Sequence, residues 1–295
     1  MDAQLHARLA DLATALAPPH PVAIVDVGAN PLDNPPYAPL ADAGLATLLG
    51  FEPQPDAHAL LNDAAPDHAT FVNAAVGAKG DAHLHLYGSQ SGLASLYMLR
   101  RDTLRYLRRF QGLPDKAETL TVTLEPLDDL DAVERIDLLK LDVQGAELDV
   151  IRGGRAKLAD STAVIVELRY LPLYEGEPDL TEVHAELTAQ GFRMHKMLAG
   201  NRMAVGSRHM DRVNRRRIRS QLIDGDAVYV RDLDLIDDMP DDRLKTLALL
   251  SAGVWVSHDL VLRCLDILET RGQIDGFAAD TYIAALPAEL RRDAA

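Results

Sequence analysis

The sequence IDLLKLDVQGAELDVIRGG, residues 136–154, decides the fold of this chain because a buried strand, an acidic strand end and a helix follow one another in it. Its first half is a nearly continuous apolar run, the pattern of a central parallel strand covered on both faces. Lys140 and Asp142 interrupt that run, and charges are rarely buried in a sheet without a partner. Gly145 allows a tight turn into an amphipathic helix over residues 146–158. Asp142 is therefore predicted at the carboxyl end of a central strand.

Two upstream strands predict a ligand site at the same edge of the sheet. Residues 22–27 form an apolar strand that runs into a glycine turn, and residues 48–51 form another that ends in an acid. Open parallel sheets bind ligands beyond the carboxyl ends of their strands, and an acid after the second strand commonly accepts hydrogen bonds from ribose. A glycine lets the backbone approach such a ligand closely. The cofactor-binding residues predicted here are Asp26, Gly28, Ala29, Asn30 and Glu52.

The turn after the first strand excludes the common phosphate-binding loops. Gly28 is followed by Ala29-Asn30-Pro31-Leu32-Asp33, which lacks the second and third glycines of G-x-G-x-x-G. The sequence also contains no G-x-x-x-x-G-K-[ST] loop. We therefore expect a nucleoside ligand without a phosphate chain, and S-adenosylmethionine fits that description.

Six motifs occur in a fixed order along the chain. They are VDVGAN (25–30), FEPQPDAHALL (51–61), FVNAAVG (71–77), TLEPLDDL (123–130), LLKLDVQGAELDVIRGG (138–154) and VIVEL (164–168). In this order the sequence resembles the FkbM-type family of S-adenosylmethionine-dependent methyltransferases over residues 22–198. The resemblance implies a class I methyltransferase fold, an α/β Rossmann-like fold with a mostly parallel sheet and helices on both faces. It also implies methyl transfer to a hydroxyl of a saccharide, glycan or glycosylated natural product.

Two positions depart from the family's pattern. Leu32 stands where the family usually has glycine, so the first helix after the glycine turn must start later or be entered differently. Gln144 stands where the family usually has glutamate, which removes a carboxylate beside Asp142. These departures motivate an alternative function, a catalytically lapsed module that binds S-adenosylmethionine or regulates a partner.

Asp142 and Glu167 are the predicted catalytic residues. Each closes one of two neighbouring parallel strands, so both carboxylates are expected to face one pocket. They could act as a general base for the acceptor hydroxyl, or they could bind a divalent cation such as magnesium. Alternatively, Asp142 only pairs with Lys140 or caps the helix after Gly145. The third strand is predicted over residues 70–76, and Asn73 of this strand, beside Glu52, is predicted to lie near the adenine.

Two insertions contribute the predicted substrate residues. The first, residues 88–118, contains Ser95 and is either a solvated amphipathic helix or a substrate lid. The second, residues 199–225, is rich in arginine and is predicted to contain a helix, either solvated or placed over the pocket to read an anionic acceptor. By helical spacing, one face of it carries Arg212, Arg216 and Arg219.

The remaining sequence indicates a three-part organisation. We predict an N-terminal helix within residues 1–20, the methyltransferase domain over residues 21–232 and a small helical C-terminal appendage over residues 233–295. The appendage could cover the core, mediate homo-oligomerisation or bind a partner.

Composition restricts the partners and the compartment. The net charge of -15 over 295 residues argues against nucleic acid, and no apolar run has the length of a bilayer span, so no membrane partner is expected. The single cysteine, Cys264, falls among apolar residues of a helix and suits a reducing cytoplasm. The expected partner is a small-molecule or glycan acceptor.

Overall fold

The structure is a computed structural model, and it describes residues 3–31, 34–87, 93–107, 117–198 and 200–292. None of the helices in these ranges is long and apolar enough to cross a bilayer. The strands are β1 Val22–Val27, β2 Ala46–Phe51, β3 Ala69–Val72, β4 Ala75–Val76, β5 Gly80–Leu86, β6 Glu118–Glu125, β7 Leu138–Leu141, β8 Ala163–Arg169, β9 Phe192–Met197, β10 Asn201–Met203 and β11 Gln221–Arg231. The α-helices are α1 Ala3–Leu16, α2 Ala38–Asp42, α3 Pro55–Asp63, α4 Arg101–Leu107, α5 Glu147–Arg152, α6 Arg155–Leu158, α7 Leu180–Ala189, α8 Asp241–Gly253, α9 His258–Thr270 and α10 Ala278–Ala284.

The large sheet has the strand order β3-β2-β1-β7-β8-β11, and β9 and β10 both pair with the other edge of β11. The strands from β3 to β8 run parallel, whereas β11 is antiparallel to its neighbours. Strand order reverses between β1 and β7, which makes that point the ligand-binding edge of an open sheet. The predicted mostly parallel α/β sheet, with β7 and β8 as neighbours, is confirmed.

A second, three-stranded sheet has the order β4-β6-β5 and lies outside the large one. The sequence predicted one strand over residues 70–76, and this prediction is wrong because the chain leaves the large sheet after Val72 and enters the small one at Ala75. The side chain of Asn73 donates to the carbonyl oxygens of Glu52 and Pro53 at 2.9 and 3.1 Å, which turns the chain at this point. The small sheet becomes a wall of the cavity described below.

Helices cover both faces of the large sheet. On one face, Ile24, Leu138 and Ile165 pack with α1, α8 and α9 in one buried cluster. On the opposite face, Leu139 and Val164 pack with α5 and α7 in another. Successive residues of each strand enter different clusters, as the two-residue period of a strand requires. The C-terminal helices therefore pack on the sheet and form part of its core.

Two helix boundaries reflect the local sequence. The predicted helix over residues 146–158 is divided into α5, which has Gly153 as its C-cap, and α6, which has Gly154 as its N-cap. A Cβ on Gly154 would lie 2.7 Å from Leu127. The first helix after the glycine turn begins only at Ala38, a late start that the departure at residue 32 predicted. Leu32 itself lies outside the described residues, as do residues 88–92 and 108–116 of the first insertion.

The helix predicted within residues 199–225 is wrong. Among the described residues there, β10 is followed by a single 3-10 turn at Met210–Arg212, further turns and then β11. The side chain of Asn214 accepts a hydrogen bond from the backbone N–H of Arg216 at 3.1 Å. Such a bond satisfies the backbone locally and competes with a helix. The argument that placed three arginines on one helical face therefore fails.

Candidate active site

Gly28 brings the ends of three strands together. It follows β1 with a φ of 89°, and a Cβ on it would lie only 2.0 Å from the backbone carbonyl oxygen of Asp142. The backbone N–H groups of Gly28 and Ala29 both donate to the carbonyl oxygen of Phe51, at 3.0 and 3.1 Å. Only glycine combines this conformation with this approach. The turns that follow β1, β2 and β7 consequently meet at one edge of the sheet.

Glu52 follows β2 at this edge and is buried, with 6% of its surface exposed. Its Oε1 accepts a hydrogen bond from the backbone N–H of Gln54 at 2.7 Å. Burial raises the pKa of Glu52 above its ordinary value, against the opposing effect of this hydrogen bond. The structure thus places a fixed, partly desolvated carboxyl group beside the glycine turn.

Asp142 lies immediately after β7, and Gln144 fixes its side chain. The Nε2 of Gln144 donates to Oδ1 of Asp142 at 2.7 Å and to Oε2 of Glu167 at 3.1 Å. Gln144 has a φ of 53°, a conformation that costs a non-glycine residue about 1 kcal/mol or more. The hydroxyl of Tyr174 donates to Oε1 of Gln144 at 2.9 Å, and burial raises the pKa of Tyr174, which keeps that hydroxyl protonated. A neutral amide therefore bridges the two predicted catalytic carboxylates.

Asp142 makes one of the two contacts that would give it a purely structural role. Its Oδ2 lies 3.7 Å from Nζ of Lys140, and that ammonium also lies 3.5 Å from Oδ1 of Asp26. Glu147, the first residue of α5, accepts through Oε1 from the backbone N–H groups of Val143 and Gly145 in the turn before the helix, and no side chain caps α5. Asp142 thus forms the ion pair with Lys140 that the structural alternative predicted, but it does not cap the helix.

Arg169 forms ion pairs with three acidic residues close to Gln144. Its guanidinium pairs with Glu167 at 2.6 Å, with Glu177 at 3.3 Å and with Asp224 at 2.7 Å. Burial raises the pKa of Glu167 well above its ordinary value, and the positive charge of Arg169 opposes that rise. Glu167 lies within β8, opposite Asp226 of β11, and not at the end of its strand as predicted. Glu167 is not among the residues that line the cavity described below.

Ser95 and Asp26 are buried next to segments that line the site. The Oγ of Ser95 donates to the backbone carbonyl of Gln144 at 2.5 Å and accepts from the backbone N–H of Tyr97 at 3.0 Å, and the residue is fully buried. Asp26 is buried below the glycine turn, where Tyr37 donates to its Oδ2 at 2.5 Å. Neither side chain lines the cavity. Both hold a segment that does.

A cavity of about 650 Å³ opens beside these groups. A volume of this size is typical of a ligand site. Its polar side includes Gly28, Asn30, Glu52, Asp142 and Gln144. The small sheet and its neighbouring loop supply an apolar wall, with Leu84, Leu86, Leu96, Leu120, Val122 and Leu124.

The donor set does not resemble a metal site. Among the described residues, no group of three or more histidine, cysteine, aspartate or glutamate side chains is arranged to hold a metal ion. Oε2 of Glu167, which would have to turn towards a shared cation, already accepts from Arg169 and Gln144.

The model of the FkbM methyltransferase domain matches residues 26–194. The chain belongs to the FkbM methyltransferase family. By family and fold it is an S-adenosylmethionine-dependent methyltransferase. No curated protein sequence matches it.

Solved structures similar to this FkbM methyltransferase include magnesium protoporphyrin IX methyltransferase from Synechocystis PCC 6803 with bound S-adenosylmethionine. The two share 13% identity and a TM-score of 0.39 over 77% of this chain and 78% of the other. A putative methyltransferase from Thermoplasma acidophilum shares 10% identity and a TM-score of 0.38 over 72% of this chain and 70% of the other.

The structure separates the predicted site residues into two groups. Gly28, Asn30, Glu52 and Asp142 line the cavity of the FkbM methyltransferase. Residues outside the lining are Asp26, Ala29, Asn73, Ser95, Glu167, Arg212, Arg216 and Arg219. The last three of these are exposed in the second insertion.

Sequence reasoning missed Arg169, Tyr174, Glu177 and Asp224, which hold Gln144 and Glu167 in place. Arg169 could have been found from the sequence, because it follows Glu167 by two residues in a strand, and residues two apart in a strand lie on the same face of the sheet.

Proposed function

We propose that this FkbM methyltransferase is an O-methyltransferase that acts on a hydroxyl of a saccharide, glycan or glycosylated natural product. The observation that supports this most directly is the Asp142 side chain, which lines the cavity and is 26% exposed. A hydroxyl must lose its proton when it becomes an ether, and a positioned carboxylate can accept that proton. The other polar groups of the lining, Asn30, Gln54 and Gln144, can hydrogen-bond neighbouring hydroxyls of a polyol.

The residues at the glycine turn fit S-adenosylmethionine. Gly28 lets the turn pass close to the backbone of Asp142 and carries no side chain that could block a ligand, and the buried carboxyl of Glu52 can accept hydrogen bonds from two ribose hydroxyls. S-adenosylmethionine supplies a methyl group on a positively charged sulfur. We assign its binding to Gly28, Asn30 and Glu52, and we assign the proton of the acceptor hydroxyl to Asp142. Glu167 then acts through Gln144, by holding the amide that orients Asp142.

Replacing Glu52 tests the donor site. Glu52→Gln keeps an acceptor for the Gln54 N–H but loses the charge, so S-adenosylmethionine should bind about 10- to 100-fold more weakly by isothermal titration calorimetry. Asp56→Asn is the matched control, because Asp56 also lines the cavity but is exposed, and its affinity should change little. Equal affinities for Glu52→Gln and the parent protein would remove Glu52 from the donor site.

Replacing Gln144 tests the metal hypothesis. The parent protein should keep its activity in EDTA, because a neutral amide already bridges Asp142 and Glu167. Gln144→Glu puts a third carboxylate between them, which should cost about 2 kcal/mol of unfolding free energy and create a set of oxygen ligands that Mg²⁺ can bind. We expect the thermal midpoint of this variant to rise with added MgCl₂.

The control for this experiment is Gln144→Met, which loses the same hydrogen bonds without adding charge and should show no response to Mg²⁺. If the parent protein itself lost activity in EDTA and regained it with Mg²⁺, a cation would belong to the native mechanism.

A turnover assay decides between the enzyme and the lapsed module. Labelled S-adenosylmethionine is incubated with a panel of glycans and glycosides, and methyl ether formation is measured by mass spectrometry. A product methylated at oxygen supports the proposal. Tight binding of S-adenosylmethionine with no transfer to any member of the panel would favour the lapsed module, and transfer to nitrogen or carbon would contradict O-methylation.

A further inference from the structure

A segment of unusual charge connects β10 to β11. We call β10 together with this connection, residues 201–220, the arginine segment. It contains a single acid, Asp211, in a protein whose net charge is -15. Its seven arginines are Arg202, Arg208, Arg212, Arg215, Arg216, Arg217 and Arg219. The segment is therefore strongly positive on an otherwise acidic surface.

The charges of the arginine segment face solvent. All residues from 211 to 220 are exposed. The side-chain hydrogen bonds described for its arginines go to groups within the segment that carry no negative charge. Arg208 contacts the ring of His209, Arg215 donates to the carbonyl of Met210 and Arg219 to the carbonyl of Arg216. These contacts leave the positive charge available to an anionic partner.

Aliphatic side chains are interleaved with these arginines. Val213 and Ile218 are 45% and 44% exposed, Val205 in the same segment is 39% exposed, and Leu222, just beyond it in β11, is 41% exposed. Exposed aliphatic side chains among cations are typical of surfaces that lie in the headgroup region of a bilayer. A single-stranded nucleic acid would instead require stacking aromatics, and the sequence of the arginine segment contains no Phe, Tyr or Trp.

The arginine segment lies at the edge of the sheet that carries the active site. Since β11 is antiparallel to β8, its first residues lie at the carboxyl end of the parallel strands, with Asp224 opposite Arg169. Asn201 of β10 donates to Asp224, which pairs with Arg169. The base of the segment is thus tied to the cluster behind Gln144, while its tip projects into solvent.

We propose that the arginine segment binds the surface of an anionic phospholipid bilayer. The guanidinium groups pair with lipid phosphates, and Val213 and Ile218 enter the interface between headgroups and acyl chains. This inference is independent of the acceptor's identity. It replaces the expectation of no membrane partner, which rested on the lack of spanning segments and does not bear on peripheral binding.

Vesicle sedimentation tests the proposal with the whole chain. The protein should sediment with vesicles of phosphatidylcholine and phosphatidylglycerol and not with pure phosphatidylcholine. Charge reversal by Arg208→Glu, Arg215→Glu and Arg217→Glu should lower the partition coefficient by about 100-fold or more, since each arginine near an anionic surface contributes about 5-fold. The matched control is Lys79→Glu, Arg291→Glu and Arg292→Glu, which changes the net charge equally at exposed positions elsewhere and should have little effect.

A second variant separates lipid from other anions. Val213→Ser with Ile218→Ser keeps every arginine and should weaken vesicle binding by about 10-fold, because apolar burial is lost. Equal thermal midpoints of both variants and the parent protein would show that they fold. Three results would overturn the proposal: no binding to anionic vesicles, equal loss of binding in the control triple variant, or tighter binding to single-stranded RNA or polyphosphate with no effect of the serine variant.

Discussion

Asp142→Asn is expected to lower the rate of methyl transfer by about 100- to 10,000-fold, the contribution of a positioned general base. Asparagine keeps the size of the side chain and an oxygen that can accept from Nε2 of Gln144. It loses the charge that would take the proton from the acceptor hydroxyl. The affinity for S-adenosylmethionine should stay within about 3-fold, because the variant removes an interaction made chiefly in the transition state. Single-turnover rates and calorimetry measure the two quantities separately.

The matched control for this prediction is Asp149→Asn. Asp149 lies in α5, a few residues further along the same motif, is partly exposed and does not line the cavity. Its replacement should leave the rate nearly unchanged. Full activity of Asp142→Asn would show that the acceptor proton goes elsewhere, and the assignment of Asp142 as the base would be withdrawn.

The fold was predictable where one pattern determined one element. The apolar runs at β1, β7 and β8 specified buried parallel strands, and the motif order implied the arrangement of the sheet. The separation of the small sheet from the large one was not predicted, because it depends on the Asn73 side chain binding two carbonyl groups of another segment. The arginine segment was wrongly predicted as a helix because intervals of four and three residues between Arg212, Arg216 and Arg219 are compatible with one helical face, whereas the local turn at Asn214 is not.

The candidate site was predictable at residues that follow a strand directly. Gly28, Glu52 and Asp142 are such residues, and all three line the cavity. The network behind them was not predictable, since Arg169, Glu177 and Asp224 come from three segments that meet only in the folded chain. The substitution at Gln144 was visible in the sequence, but its role as a bridge between Asp142 and Glu167 depends on its positive φ and on Tyr174.

Arg169→Met is expected to destabilise the protein more than any other single change in the network. It leaves Glu167, Glu177 and Asp224 buried without their shared cation, and breaking a buried ion pair in this way costs about 3 to 5 kcal/mol. It also removes the guanidinium that lies 5.7 Å from the centre of the Tyr174 ring. We expect the thermal midpoint to fall by roughly 10 °C. Differential scanning calorimetry measures the change.

The control is Arg155→Met. Arg155 also forms a bidentate ion pair, with the carboxylate of Glu186, but the Arg155 side chain is 61% exposed. Without it, Glu186 would still pair with a second arginine, Arg152. Exposed pairs contribute about 1 kcal/mol or less, so its midpoint should change by only a few degrees. Equal effects of the two variants would mean that the cluster around Arg169 contributes no more than a surface ion pair.

The pH dependence of Arg169→Met provides a second, independent readout. Arg169 lowers the pKa values of Glu167 and Glu177, which burial raises, so removing it lets both pKa values rise further in the folded state. A carboxyl group with a raised folded pKa binds its proton more tightly in the folded than in the unfolded chain. Its favourable contribution is complete below the unfolded pKa, near 4.5, and is lost as the pH rises through the folded pKa. The loss of unfolding free energy in Arg169→Met relative to the parent protein should therefore be smaller in acid and larger towards neutral pH. A packing defect alone would give a loss of unfolding free energy that is independent of pH.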